Sequence, residues 1–202
     1  MNAPTASSVT TRTANRVRAS LIACGGVAII LMSLASALLP LTRFSGAAII
    51  GTMMVAAGLV EMIAGGLRLR NRALAILPGA ITLVVGLLFT REPFDAFVPM
   101  VRLVIGWLFA RCAVLALASA EARGSVRLWT LAAAATDLSL SAILFIGLYA
   151  TTITIIFFGP THEIVSGFAW VLALSFVASG SLLLEIAGCE AEQAFQNQPK
   201  RH

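Results

Sequence analysis

Charge is what this sequence has least of: 11% of its 202 residues are charged, while 59% are hydrophobic and mean hydropathy is +0.94. Soluble domains carry about a quarter charged residues, so a water-facing globular surface cannot be covered. The three cysteines, Cys24, Cys112 and Cys189, form no CxxC pair or even-numbered framework, which argues against both disulfides and zinc. There is no GxxxxGK[ST], GxSxG or HExxH pattern, so the expectation is a non-enzyme with no catalytic residues, cofactor or metal. Gly25-Gly26 and Gly65-Gly66 fall inside apolar runs, where no phosphate would be cradled. The net charge of +5 and pI near 10.1 invite a nucleic-acid reading. Placement argues against it, because the basic residues cluster between apolar runs, as the positive-inside rule produces.

What the chain does have is six apolar runs, at about 20–40, 45–67, 73–90, 96–120, 128–150 and 167–187. A helix needs about 20 residues to cross ~30 Å of hydrocarbon at ~1.5 Å per residue, whereas a barrel needs ~10-residue alternating segments. The expected fold is all-α: a six-span membrane bundle over 19–188, as three parallel hairpin repeats at about 20–67, 73–120 and 128–187. Residues 1–18, rich in Ser, Thr, Ala and Asn, read as a disordered cytoplasmic tail, and 189–202 as a polar one. Ala35-Ser36-Ala37 imitates a signal-peptide end, but the length of the run and its match to a later one favour a retained span.

Lys and Arg counts give the orientation. With the N-terminus inside, Arg12, Arg16, Arg18, Arg68, Arg70, Arg72, Arg123, Arg127, Lys200 and Arg201 are cytoplasmic. Only Arg43 and Arg91 lie outside, with Glu92, Asp95, His162 and Glu163, so both termini are expected in the cytoplasm.

Small residues recur at heptad steps. The first run has Gly26, Ser33 and Pro40, and the third has Gly79, Gly86 and Pro93. Gly51 precedes Arg68 by seventeen residues, and Gly106 precedes Arg123 by the same interval. In the third unit Ala134 and Ser141 keep the step, but Pro160 comes later, with a longer linker at 151–166. In lipid no hydrophobic force drives helices together, so small residues let backbones approach. Gly51, Gly58 and Gly65 form one such seam. The stretches "GLVEMIAGGLRLRNR" and "LPGAITLVVGLLFTREP", within a likeness from Val17 to Glu190, resemble the HdeD-like acid-resistance membrane proteins. The resemblance implies a bacterial inner-membrane protein linked to survival in acid or membrane stress.

Four ionisable residues sit inside the runs, where each costs at least ~2.5–3.5 kcal/mol on insertion scales: Glu61, Arg102, Arg111 and Asp137. Arg102, ~9 Å from an end, can snorkel. Arg111 and Asp137 are each nine residues from the same end of adjacent runs, ~13 Å deep. Glu61 lies on the glycine seam. The expected cluster is Arg111 with Asp137, and Glu61 nearby, serving to fix helix pairing, to respond to protons, or to line a solute path. His162 is a candidate pH sensor by its titration range, and Cys112 is a packing residue. Three function classes follow: a stress-associated membrane protein, a small transporter or channel component using the charge cluster, or a membrane subunit or assembly factor. The partners expected are the lipid bilayer and a second copy or another membrane protein, with no nucleic acid.

Overall fold

The computed structural model describes residues 6–38, 46–68, 72–91, 97–158 and 162–196. Six helices fill them: α1 (Ala6–Leu38), α2 (Gly46–Leu67), α3 (Arg72–Arg91), α4 (Phe97–Glu121), α5 (Gly124–Phe158) and α6 (His162–Gln196). All six are long and apolar enough to cross a bilayer. Large apolar side chains such as Leu21, Leu31, Ile63, Phe109, Leu117 and Ile146 are exposed on the outside of the bundle, the arrangement that suits a lipid surround.

The helices pack in chain order and close on themselves, α6 returning to α1. Packing alternates around this ring: α2–α3, α4–α5 and α6–α1 are tight, whereas α1–α2, α3–α4 and α5–α6 are looser. The tightest pairs are therefore not the members of each expected hairpin. The reason lies in the glycines. Gly58 and Gly79 face each other across α2–α3 so closely that a Cβ on Gly58 would lie 2.8 Å from the Gly79 oxygen. Gly51 meets Phe89 and Thr90, Gly65 meets Ala75 and Ile76, and Gly86 meets Met54 and Val55. On the α1–α6 seam a Cβ on Gly26 would reach the Gly180 oxygen at 2.8 Å. Seven residues along both helices, the Ser33 hydroxyl donates to the Ala173 carbonyl at 2.7 Å. Backbones this close gain dispersion contacts that bulkier residues would forbid.

Gly106 departs from the expected seam. It is exposed, with nothing within 4 Å of a Cβ built on it. Val104, Leu108, Arg111 and Leu115 turn inward on α4, and at ~100° per residue Gly106 lies on about the opposite side. A matching offset from an arginine does not fix helical phase.

The termini and the last linker also differ from expectation. Helix α1 starts at Ala6, so most of the segment expected as a tail is helical, and α6 runs on to Gln196. No Pro or Gly falls between Ala6 and Cys24, so nothing in the sequence stops the helix there. Likewise α5 continues through the Thr- and Ile-rich residues to Phe158 and α6 begins at His162, leaving little of 151–166 as linker. Residues 1–5 and 197–202, Arg43, Arg70, Glu92, Asp95 and the prolines Pro40, Pro93 and Pro160 lie outside the described residues. Between α4 and α5 the chain turns at Gly124, whose φ of +63° is a conformation that favours glycine.

Candidate functional site: a buried charge hub

Each helix from α2 to α6 turns at least one polar group toward the interior. On α2, Glu61 sits one turn from Gly58, on the side pressed against α3. On α3, Thr82 lies one turn from Pro78 and donates its hydroxyl to the Pro78 carbonyl at 2.9 Å. On α4, Trp107 and Arg111 are four residues apart and so share a face. On α5, Asp137 lies among buried Ala133, Ala134, Leu140 and Ser141. On α6, Ser175 and Ser179 repeat the four-residue step, and Ser179 donates to the Ser175 carbonyl at 3.0 Å.

Arg111 joins them. Its Nε donates to Asp137 Oδ2 at 3.1 Å. Nη1 donates to Glu61 at 3.1 and 3.3 Å, one contact to each carboxylate oxygen, and to Thr82 Oγ1 at 3.2 Å. Nη2 donates to Ser179 Oγ. One guanidinium thus touches α2, α3, α5 and α6 from its place on α4. The fork of donors on arginine makes this geometry available, and lysine could not reproduce it. The Trp107 ring adds a flank, with its centroid 5.4 Å from Arg111 Cζ, within cation–π range. Its indole N–H donates to Thr82 Oγ1 at 3.1 Å, and Phe176 packs against it at a centroid distance of 5.7 Å.

The hub is closed off: Arg111 and Asp137 are 2% and 1% exposed, and Glu61 is 6% exposed. Two carboxylates face one guanidinium, leaving one unit of negative charge without a partner when both are ionised. The two acids are held differently. Asp137 accepts from Arg111 and, at 2.5 Å, from the Ser175 hydroxyl. Both oxygens of Glu61 rely on the single Nη1 of Arg111.

The structure brings together Arg111 and Asp137, singled out in the sequence by their equal depth, and Glu61, singled out by its place on the glycine seam. Arg102 is exposed on the bundle surface, and Cys112 is partly buried against the core. His162 opens α6, and its side chain lies outside the described ones. Sequence reasoning missed Thr82, Trp107, Ser175 and Ser179. The four-residue spacing of Ser175 and Ser179 was a usable signal, because it aligns both hydroxyls on one stripe of an otherwise apolar helix. Gly180, the partner of Gly26, was also missed. Comparison with protein-family models, with curated proteins and with solved structures finds no match for this chain.

Proposed function

We propose that this chain is a non-enzymatic, multi-pass protein of a bacterial inner membrane that acts in acid or membrane stress, with the Glu61–Arg111–Asp137 hub as its acid-responsive element. The observation that carries the reading is the charge imbalance of the hub. Two carboxylates and one guanidinium are sealed inside an apolar bundle and tied to five helices. Binding of one proton changes the charge of the hub and the acceptor set of Arg111 together. Every helix that hangs on that guanidinium then feels the change. The likeness to HdeD-like proteins supports the same reading. The clustering of Arg and Lys supports a cytoplasmic position for both termini on this reading.

The test is deletion of the gene followed by acid challenge, with wild type, Glu61→Gln and Asp137→Asn returned at matched protein levels. The expected result is that wild type restores survival and Glu61→Gln, although it accumulates, does not. Full survival of the deletion strain removes the acid role. Equal rescue by all variants removes the hub from it.

A second reading is a small proton-coupled transporter or channel component. It is favoured by the same unpartnered negative charge and by Pro78, which interrupts the backbone ladder of α3 one turn from Thr82. A flux assay in proteoliposomes with an imposed pH gradient separates the two, since a purely structural hub carries no flux.

A further inference from the structure

The two carboxylates of the hub stand in different relations to the ring. Asp137 is on α5, the tight partner of α4, so its ion pair with Arg111 lies inside one packed unit. Glu61 is on α2, outside that unit, so its ion pair with the same guanidinium joins two packed units. Glu61 sits at the α2–α3 seam, where a Cβ on Gly79 would lie 2.9 Å from its Cβ. That seam is backbone on backbone: a Cβ on Gly58 would meet the Leu83 nitrogen, and one on Gly86 the Val55 nitrogen, each at 2.6 Å. Helices interlocked in this way shift together more readily than past one another.

The seams on either side of the α2–α3 pair are looser. Toward α1, Gly25 meets a side-chain tip, Val60 Cγ1, at 3.1 Å from where a Cβ would stand. Toward α4 the pair is tied by polar groups, Glu61 and Thr82 to Arg111 and Thr82 to Trp107. The groups around Glu61 are thus Arg111 on α4 with Cys112 beside it, Thr82 on α3, and Gly25 and Val60 at the α1 contact. Asp137 on α5 and Ser179 on α6 are reached through Arg111.

Charge decides what each acid holds. With Glu61 neutral, Arg111 and Asp137 balance each other, and the hydroxyls of Ser179 and Ser175 complete a network confined to α4, α5 and α6. With Asp137 neutral, the remaining ion pair is Arg111–Glu61, which still spans the units. Asp137 accepts from two donors on two helices, whereas both oxygens of Glu61 share one nitrogen. The proton that balances the hub therefore sacrifices least hydrogen bonding at Glu61.

We propose that α2 and α3 move as one rigid unit, latched to the rest of the ring by the Glu61–Arg111 ion pair, and that protonation of Glu61 opens the α1–α2 and α3–α4 seams. The trigger rests on the acid-responsive reading of the hub; the latch does not.

The experiment measures distances by double electron–electron resonance on full-length protein in lipid nanodiscs, with Cys24, Cys112 and Cys189 replaced by alanine. Nitroxide labels go on exposed positions in pairs: Val27→Cys with Leu59→Cys for α1–α2, Val84→Cys with Phe109→Cys for α3–α4, and Leu59→Cys with Val84→Cys inside the unit. At neutral pH, Glu61→Gln is expected to shift the first two distances by several ångströms and leave the third unchanged. Asp137→Asn keeps all three at their wild-type values, and acid shifts wild type as Glu61→Gln does. Unchanged seams in Glu61→Gln overturn the latch, as does equal opening by Asp137→Asn. A matching shift inside the α2–α3 pair overturns the rigid unit. Opening by Glu61→Gln without any response of wild type to acid upholds the latch and removes the acid reading. Should Glu61→Gln fail to accumulate, wild type and Asp137→Asn compared at neutral and acid pH decide: opening confined to acid, with the α2–α3 distance fixed, supports the proposal, and closed seams in acid overturn it.

Discussion

Gly58 on α2 and Gly79 on α3 lie backbone against backbone, so that a methyl group on either would reach the carbonyl oxygen of the other at 2.8 Å. The same methyl on Gly58 would sit 2.6 Å from the Leu83 nitrogen. Neither obstacle is a flexible side-chain tip, so only separation of the helices could relieve the clash.

Gly58→Ala is therefore expected to lower stability by about 1–3 kcal/mol, the usual range for overpacking. Gly106→Ala is expected to be neutral or slightly stabilising, because its Cβ enters open space and alanine favours the helix. Thermal melts of both variants in one detergent check this. Equal losses would mean that α2 and α3 are not in contact at the seam.

Removing the guanidinium leaves two carboxylates facing each other's field in the interior. Arg111→Ala should cost on the order of 3–5 kcal/mol, as breaking a buried ion pair does. Adding Asp137→Ala should recover part of that loss, because one of the stranded charges is gone. Folded yield after size-exclusion chromatography reports both. A double variant as poor as the single one refutes the pairing in solution.

Thr82 is the acceptor shared by Trp107 Nε1 and Arg111 Nη1. Thr82→Val keeps the shape but strands the Trp107 indole N–H and leaves Arg111 Nη1 with Glu61 alone, and a loss of about 1–3 kcal/mol is expected. Thr82→Ser, which keeps the oxygen, should lose much less. Unfolding of the pair in a graded denaturing detergent discriminates the hydroxyl from the methyl.

The turn at Gly124 makes a local prediction. With φ at +63° an alanine there is strained, so Gly124→Ala should destabilise by about 1–2 kcal/mol. Gly124→Asn should be milder, since asparagine tolerates this region better. Limited proteolysis at the α4–α5 turn should rank the three proteins in that order.

The spans were legible in the sequence because a bilayer imposes a length on each apolar run, and the interior bounds of α2, α3 and α4 fall within a residue or two of expectation. Glu61, Arg111 and Asp137 were legible because an ion in such a run demands a partner, and equal depth on adjacent runs points to one. The hydroxyls of Thr82, Ser175 and Ser179 were not, since serine and threonine can satisfy themselves on their own backbone anywhere along a helix, as Thr136 does with the Ala132 carbonyl. The pairing of α1 with α6 was hidden for another reason. Gly26 announces a close approach but not the identity of the backbone it meets, and Gly180 lies at the far end of the chain. Gly106 shows the limit of spacing arguments, for recurrence along the sequence says nothing of which way a residue points.

The closure of α1 onto α6 carries a consequence for biogenesis. As the chain leaves the ribosome, Gly26 and Ser33 are made early, yet the surfaces they seat against, Gly180 and Ala173, are made last. The hub follows the same timetable: Arg111 and Asp137 can meet once α5 is inserted, but Ser175 and Ser179 arrive only with α6. Until then the first helix has an open flank and the central guanidinium lacks part of its shell. Insertion of the sixth helix is thus the step that closes the ring.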